Sequence, residues 1–400
     1  MNFFTKKLKL SACVISGVTL MAAGSAASAS GVTEAIKGGE VSADFRLRME
    51  TVTQDNALND ANALTLRSRL GYRTADYKGL TGFMEFENIT ALNDDYEPIP
   101  TNPAKTESVV ADPEGTEVNQ LYLKYISGGH AITAGRQRVI LDNARFVGNV
   151  GWRQNEQTFD AIVFTVDSVA DTSLVYAYVD KVNTILGGEY DTSAYIFNAS
   201  YSGLTAGKIT GYSYVIELDD TPAASNSTLG LRFSGAAEVA QAKVKYTLEY
   251  AKQSDYADGT NIDAQYLLAE LGADFSGVAV KLGYEVLGDG NGASDASFST
   301  PLATKHAFNG WADVFLTTPA DGLQDIYLSV TTKVKGVKLL AVYHDYSADT
   351  GSADHGSEIN LLAAKKYGEH YTALLKYADY SAGDSGIDTR KLWLMGQMKF

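Results

Sequence analysis

The chain has 400 residues, 45% of them hydrophobic, one cysteine and a formal net charge of −15. A lone cysteine excludes an internal disulfide and a cysteine-based metal site, so acidic a chain suits no nucleic-acid partner, and no stretch approaches the roughly 18 consecutive apolar residues of a spanning helix. What remains is rich in Tyr (24), Phe (15) and Gly (37) and poor in Pro (7), a mix that suits an exported β-protein, with a membrane barrel and a secreted soluble β-fold as the competing classes.

Residues 1–29 read as a signal peptide. Lys6, Lys7 and Lys9 form a basic start, residues 10–24 a short apolar run, and Ala27-Ser28-Ala29 the small residues before a cleavage site. The lipoprotein-like Leu10-Ser11-Ala12-Cys13 is set aside because the apolar run follows Cys13 instead of preceding it. Cleavage after Ala29 removes three lysines and the cysteine and takes the net charge from −15 to −18. Residues 30–400 then form one domain.

Strands follow at once. Val41, Ala43, Phe45, Leu47 and Met49 alternate with Ser42, Asp44, Arg46, Arg48 and Glu50, and Leu64, Leu66, Leu70 and Tyr72 alternate with Thr65, Arg67, Arg69 and Arg73. Period-two alternation is the signature of a strand with two different faces. Here one face is apolar and aromatic and the other charged, which fits lipid outside and a wet lumen inside. Glu85 and Glu87 share the polar face of the third strand. The arginines therefore form a ladder on one inner wall, read either as a track for anions or as salt-bridged struts.

The next stretch, residues 135–161 (GRQRVILDNARFVGNVGWRQNEQTFDA), carries Arg136, Arg138, Arg145 and Arg153 against Asp142, Glu156 and Asp160. It is too polar to cross lipid and too apolar for an idle loop. We read 139–157 as a loop folded into the barrel between the fifth and sixth strands. Trp152 and Phe146 would pack it on the wall, Asp142 or Asp160 would clamp an arginine, and the remaining cations, with Gln154 and Asn155, would line a constriction, where pore charge sets selectivity. Nine of the eleven arginines lie between residues 46 and 153, and no comparable arginine supply follows.

Alternation resumes at Tyr195, Phe197, Ala199 and Tyr201, at Thr210, Tyr212, Tyr214 and Ile216, at Leu229, Leu231 and Phe233, at Val244, Tyr246, Leu248 and Tyr250, and at Val278, Val280, Leu282, Tyr284 and Val286. Long Asp-, Asn- and Gly-rich connections alternate with short turns, the layout of external loops and periplasmic turns. Taking 308–316 as a strand gives nineteen. However, Lys335-Gly336 is a tight turn, so 287–325 must be a single external excursion. The count is then eighteen, both termini are periplasmic, and an all-β transmembrane antiparallel barrel closes with no open edge in lipid. The chain ends on Leu392, Leu394, Met398 and Phe400 in one row, which looks like a terminal signal for outer-membrane assembly machinery. The expected location is the outer membrane of a Gram-negative bacterium, with its lipid as the surrounding partner.

The run Gly135-Arg136-Gln137, Arg145-Phe146-Val147-Gly148, Gly151-Trp152-Arg153-Gln154-Asn155 and Thr158-Phe159-Asp160 resembles the alginate-export family of outer-membrane porins. So do Gly310-Trp311-Ala312-Asp313, Gly322-Leu323-Gln324-Asp325, Tyr343-His344 and Lys391-Leu392-Trp393. The resemblance implies an eighteen-stranded barrel and an arginine-rich lumen for a polyanionic uronate polymer, a role that would fall on Arg136, Arg145 and Arg153 and on Arg46, Arg48, Arg67 and Arg69.

Other motifs carry less. Asp289, Asn291 and Asp295 have oxygen-ligand spacing suggestive of Ca²⁺ but lack the closing bidentate Glu, so a flexible loop is the preferred reading and no cofactor is expected. The five histidines and the serines assemble no nucleophile, base and orienter, so the chain is not read as an enzyme. The expected function is passive passage of anionic saccharides such as alginate or its oligomers. An unselective porin for small sugars and a closed structural or adhesive barrel stay open as alternatives.

Overall fold

The structure, a computed structural model, describes residues 29–290 and 296–400. Residues 1–28 of the expected signal peptide, 1–29, lie outside them, as do Asn291 and Asp295 of the Ca²⁺ candidate. The described chain opens with a helix, α1 (Ala29–Lys37). Strands β1 (Glu40–Gln54), β2 (Ala61–Arg73), β3 (Leu80–Ala91), β4 (Gly115–Ser127), β5 (His130–Gln137) and β6 (Thr158–Val166) form the first third of the wall. Next come β7 (Thr172–Asn183), β8 (Glu189–Leu204), β9 (Gly207–Leu218), β10 (Asn226–Val239), β11 (Ala242–Asp255) and β12 (Asp263–Phe275). The wall ends with β13 (Val278–Leu287), β14 (Leu323–Val334), β15 (Val337–Ser347), β16 (Asp354–Tyr367), β17 (Tyr371–Ser381) and β18 (Thr389–Lys399).

Every neighbouring pair is antiparallel, and β1 pairs with both β2 and β18, so eighteen strands close into one barrel. The predicted count and the single excursion between β13 and β14 both hold, and residues 308–316 form no strand. α1 is an element the sequence reading did not foresee. It lies against the β2–β3 turn, where the Ala75 N–H donates to the Ala35 carbonyl at 3.0 Å and the Tyr72 hydroxyl to that of Ile36.

Alternation sets the two faces. Leu47, Leu70, Leu229, Leu248, Leu282 and Leu394 stand on the outer surface, where an apolar row meets hydrocarbon and no backbone group is left unpaired. The inner surface is not simply wet. Phe146 and Val147 of the 138–157 loop and Phe298 and Leu302 of the 288–322 excursion form a core with Ala177, Val179, Ala194, Ile196, Tyr212, Tyr214 and Ile216 of the wall.

That core corrects the reading of β9. Its Thr210, Tyr212, Tyr214 and Ile216 row faces the lumen, and Gly211, Ser213 and Val215 face out. The Tyr212 and Tyr214 rings stack at 4.9 Å beside Phe146, while Tyr212 donates to Glu249 at 2.9 Å. A row that packs on an inward loop is as apolar as one that meets lipid, so period alone does not choose between them. Both inward segments therefore have a dry side, and their polar sides meet the arginine wall.

Candidate functional site

Polar rows on β1 and β2 place Arg46 directly opposite Arg67, with Asp44 opposite Arg69 and Arg48 opposite Thr65. Like charges facing each other across strands repel, so the wall needs acceptors, and the inward loop supplies them. Arg46 donates to the carbonyls of Gly151, Trp152 and Arg153 at 3.2, 3.1 and 3.2 Å. Arg48 donates to the Trp152 carbonyl at 2.5 Å, and Arg67 and Arg69 both reach that of Gln154 at 3.5 Å. Four consecutive carbonyls thus sit on four arginines, which suits the forked five-donor guanidinium.

Carboxylates complete the set. Arg67 pairs with Asp44 at 2.9 Å, Arg69 with Glu87 and with Glu156 at 3.1 Å, and Arg48 with Asp112 from the 92–114 loop. Asp112 also accepts from the Gln154 N–H at 2.8 Å. Burial works against its carboxylate, but Arg48 and Arg153 outweigh that and hold its pKa below the usual value. Gln154 donates to Thr65 Oγ1 at 2.8 Å, and Asn155 to the Thr184 carbonyl at 3.2 Å.

The expectation of free cations at the constriction is corrected for two arginines. Arg145 is buried and paired with Glu285 at 2.8 Å and Asn309 at 2.8 Å. Arg153 is buried and paired with Glu50 and Asp313, each at 3.1 Å. The reason is desolvation: a bare charge in so packed a place costs several kcal/mol, about as much as a broken buried pair. The clamps differ too. Asp142 holds Asn198 at 2.7 Å and Lys208 at 3.5 Å, not an arginine.

Asp160 does clamp Arg136, at 2.8 Å, but outside the pore. The register sets Arg136 opposite Leu121, which stands 54% exposed in the lipid-facing row. Arg136 is therefore withdrawn from the pore lining. The weak alternation at Ala131, Thr133 and Gly135 concealed its side. Gly135 sits at φ +122°, where a Cβ would lie 2.3 Å from the Leu121 carbonyl oxygen.

The 288–322 excursion locks onto the same loop. Lys376 of β17 lies 4.0 Å from the Trp152 ring centroid, 3.9 Å from Trp311 and 5.2 Å from Trp393, so all three tryptophans of the chain surround one ammonium. Trp152 stacks on His306 at 5.0 Å. Lys376 donates to His306 Nε2 at 2.6 Å, so that nitrogen must accept, the proton sits on Nδ1, and Nδ1–H donates to Asp313 at 2.5 Å. Burial first, then Lys376, opposed by Asp313, brings His306 down to about 3. Asp313 also holds Lys391 at 2.8 Å. The Trp311 and Ala312 N–H groups donate to Glu358, both within 2.8 Å. Gly310, at φ +87°, leaves room where a Cβ would meet that carboxylate at 2.2 Å.

What stays open beneath the loop is a cavity of about 330 Å³ lined by Arg46, Arg67, Arg69, Arg138 and Lys399, with Asp44, Glu85 and Glu156 among them. Arg138 is 30% exposed and bridges Glu85 at 2.8 Å and Glu156. Burial works against Glu156, yet Arg69 and Arg138 hold its carboxyl down at about 2.

A second set of cations was missed by counting arginines alone. Lys208, Lys243, Lys245, Lys281, Lys333, Lys338, Lys366 and Lys399 all fall in inward rows toward the short-turn end. The alternation that placed the arginines would have placed them as well. Asp289 is described without its two proposed companions, and no group of three metal-binding side chains occurs among the described residues.

The sequence matches the alginate export family over residues 37–288. The chain belongs to the alginate export family. Among curated proteins none matches it. Its barrel resembles that of Pseudomonas aeruginosa OccD3 (OpdP), with a TM-score of 0.69 at 16% identity, covering 92% of both chains. It also resembles P. aeruginosa OccK9 (OpdG), with 0.71 at 14% identity over 92% of this chain and 100% of that one, and Acinetobacter baumannii OccAB4, with 0.70 at 13% identity over 90% and 98%. This alginate export family member is thus an outer-membrane barrel of porin architecture, and Arg145 and Gly151–Asn155 within the matched stretch, with Gly310–Asp313 beyond it, lock its loops to its wall.

Proposed function

We propose that this barrel is a passive outer-membrane channel for anionic saccharides, alginate oligomers among them, and that Arg46, Arg67, Arg69 and Arg138 handle the anion. The supporting observation is the cavity beneath the loop, where those four arginines and Lys399 meet three carboxylates. Guanidinium forks grip carboxylates through two parallel hydrogen bonds, and rings of fixed charge tune pore selectivity. Arg48, Arg145 and Arg153 act in this reading as anchors that keep the loop in place. Passive transport needs no covalent chemistry.

Purified protein in planar bilayers tests the proposal. Open channels with anion preference, blocked by uronate oligomers, are expected, and Arg138→Glu is expected to shift the reversal potential toward cations. An unchanged reversal potential in that variant sinks the assignment, and indifference to uronate with cation preference favours an unselective porin. A second reading, a closed structural barrel, has its own support. Arg48, Arg67, Gln154 and Trp393 are fully buried, so the loops pack the lumen densely at that level. No conductance at any voltage would select it.

A further inference from the structure

The inward cations of this barrel come in two states. On most of the wall each is matched. Lys281 pairs with Glu270, Lys245 with Asp274 at 2.6 Å, Arg232 with Glu249 and Lys208 with Asp142 at 3.5 Å. At the short-turn end of β14–β17 the matching stops. Lys333 and Lys338 face each other directly across β14 and β15. Lys338 lies opposite Ala364, and Lys366, two residues on in the same inward row, lies opposite Thr372. All three lysines are exposed, and among the described residues none has an ion-pair partner. With Asp274, Ala279, Thr331, Thr372 and Lys365, whose ammonium lies over the Tyr367 ring at 5.0 Å, they line a cavity of about 660 Å³. Its lone carboxylate, Asp274, is already taken by Lys245.

Facing like charges cost a sheet stability. Beside the facing Arg46 and Arg67 this chain places Asp44, and here it leaves the charges bare and in water. We propose that Lys333, Lys338 and Lys366 form a second anion site, at the periplasmic mouth, which takes the carboxylates of an acidic saccharide before they reach the arginine wall. The inference rests on the anionic-saccharide reading above and adds the place of capture. Facing Cα atoms in a sheet lie roughly 5 Å apart, so three lysines on adjacent strands present a row of charges that successive sugars of one chain can bridge. Lysine suits the task. Its hydrated point charge attracts carboxylates without the locked fork of arginine, and a conducting site must release what it binds. The inward position and the row of three point to a saccharide chain, because a lipid headgroup would need the outer face.

Calorimetry on the full chain in detergent tests this, with a uronate tetramer and a neutral pyranose tetramer of equal length as probes. Uronate is expected to bind and the neutral chain not. The triple variant K333Q/K338Q/K366Q is expected to bind uronate at least tenfold more weakly. Lys105→Gln, in the 92–114 loop and away from this cavity, should bind as the parent does. Heat-modifiable mobility on gels confirms that each variant has closed its barrel. Equal uronate affinity in the parent and the triple variant overturns the site, and so does equal binding of the neutral chain. Conductance separates this from the channel reading. A barrel that binds uronate through these lysines but passes no current keeps the site and loses the channel. One that conducts anions with unaltered binding in the triple variant keeps the channel and loses the site.

Discussion

The arginine wall of β1–β3 and the lysine wall of β14–β17 face the same lumen and solve opposite problems. Arg48 and Arg67 are fully buried, and Arg46, Arg48, Arg67 and Arg69 each donate to a loop carbonyl. Lys333, Lys338 and Lys366 are exposed and unpaired among the described residues. A planar guanidinium with five donors can be satisfied without water, whereas an ammonium is strongly hydrated and loses more when dried. The exception sharpens the rule, since buried Lys376 is kept by three tryptophan faces and a histidine. Residue type thus separates cations that hold the loop, some of which also line the cavity beneath it, from cations left bare in water.

The hardest blow to this division is Arg153→Ala. It leaves Glu50 and Asp313 buried without their shared cation, and breaking such a pair costs about 3–5 kcal/mol. The 138–157 loop should then come off the wall. Faster cleavage at the loop by an added protease and a rise in single-channel conductance are expected. A loop as resistant as the parent's would show that Arg153 is no anchor.

Acid attacks the same wall more gradually. Glu156, at about 2 when folded against an ordinary 4.5, stabilises the loop fully above pH 4.5 and loses its contribution as pH falls toward 2. The difference is worth about 3 kcal/mol as an order of magnitude. His306, neutral and lowered from 6.5 to about 3, likewise contributes fully above pH 6.5 and ever less as pH falls toward 3. Both signs agree, so docking weakens only on the acid side. The three tryptophans lie on this one site, so their emission should redden between pH 6 and 3 and stay constant from pH 7 to 9. A reddening on the alkaline side instead would contradict the assigned tautomer and pairings.

Much of the barrel was legible in the sequence because lipid and parity leave few choices. Alternation marked the strands, and the tight turn at Lys335-Gly336 forced 287–325 into one excursion. The sequence could not say which arginines were free, because their partners lie far along the chain. Glu285 is 140 residues from Arg145, and Asp313 is 160 from Arg153. The motif Gly310-Trp311-Ala312-Asp313 stood out, but its role as a lock depends on Glu358, Lys376 and Lys391, all on later strands. β9 was misread for a related reason: an inward segment of the same chain supplies an apolar surface that stands in for lipid. Arg136 was lost to a weak pattern beside a glycine.

A smaller effect tests the boundary between the walls. Arg138 is the arginine of the inward loop that keeps both pore exposure and a carboxylate, and Arg69 stands ready to hold Glu156 if it is removed. Arg138→Gln should therefore cost about 1 kcal/mol or less in stability while lowering anion over cation permeability in bilayers. A variant that unfolds like Arg153→Ala would put Arg138 among the anchors and leave the cavity without its most accessible fork.

The smallest effect in energy is the most telling in kind. Lys333→Glu turns a repulsive facing pair with Lys338 into an attractive one, a change of about 0.2–1 kcal/mol in favour of the fold. The same substitution replaces one of three capture charges with its opposite. Thermal denaturation should show a variant at least as stable as the parent, while calorimetry shows weaker uronate binding. A destabilised variant would mean that the lysine row is already compensated by something within the barrel. A stabilised variant with undiminished binding would mean that the row is a solvated rim. Stability gained together with binding lost would show that this wall keeps its repulsion for the solute.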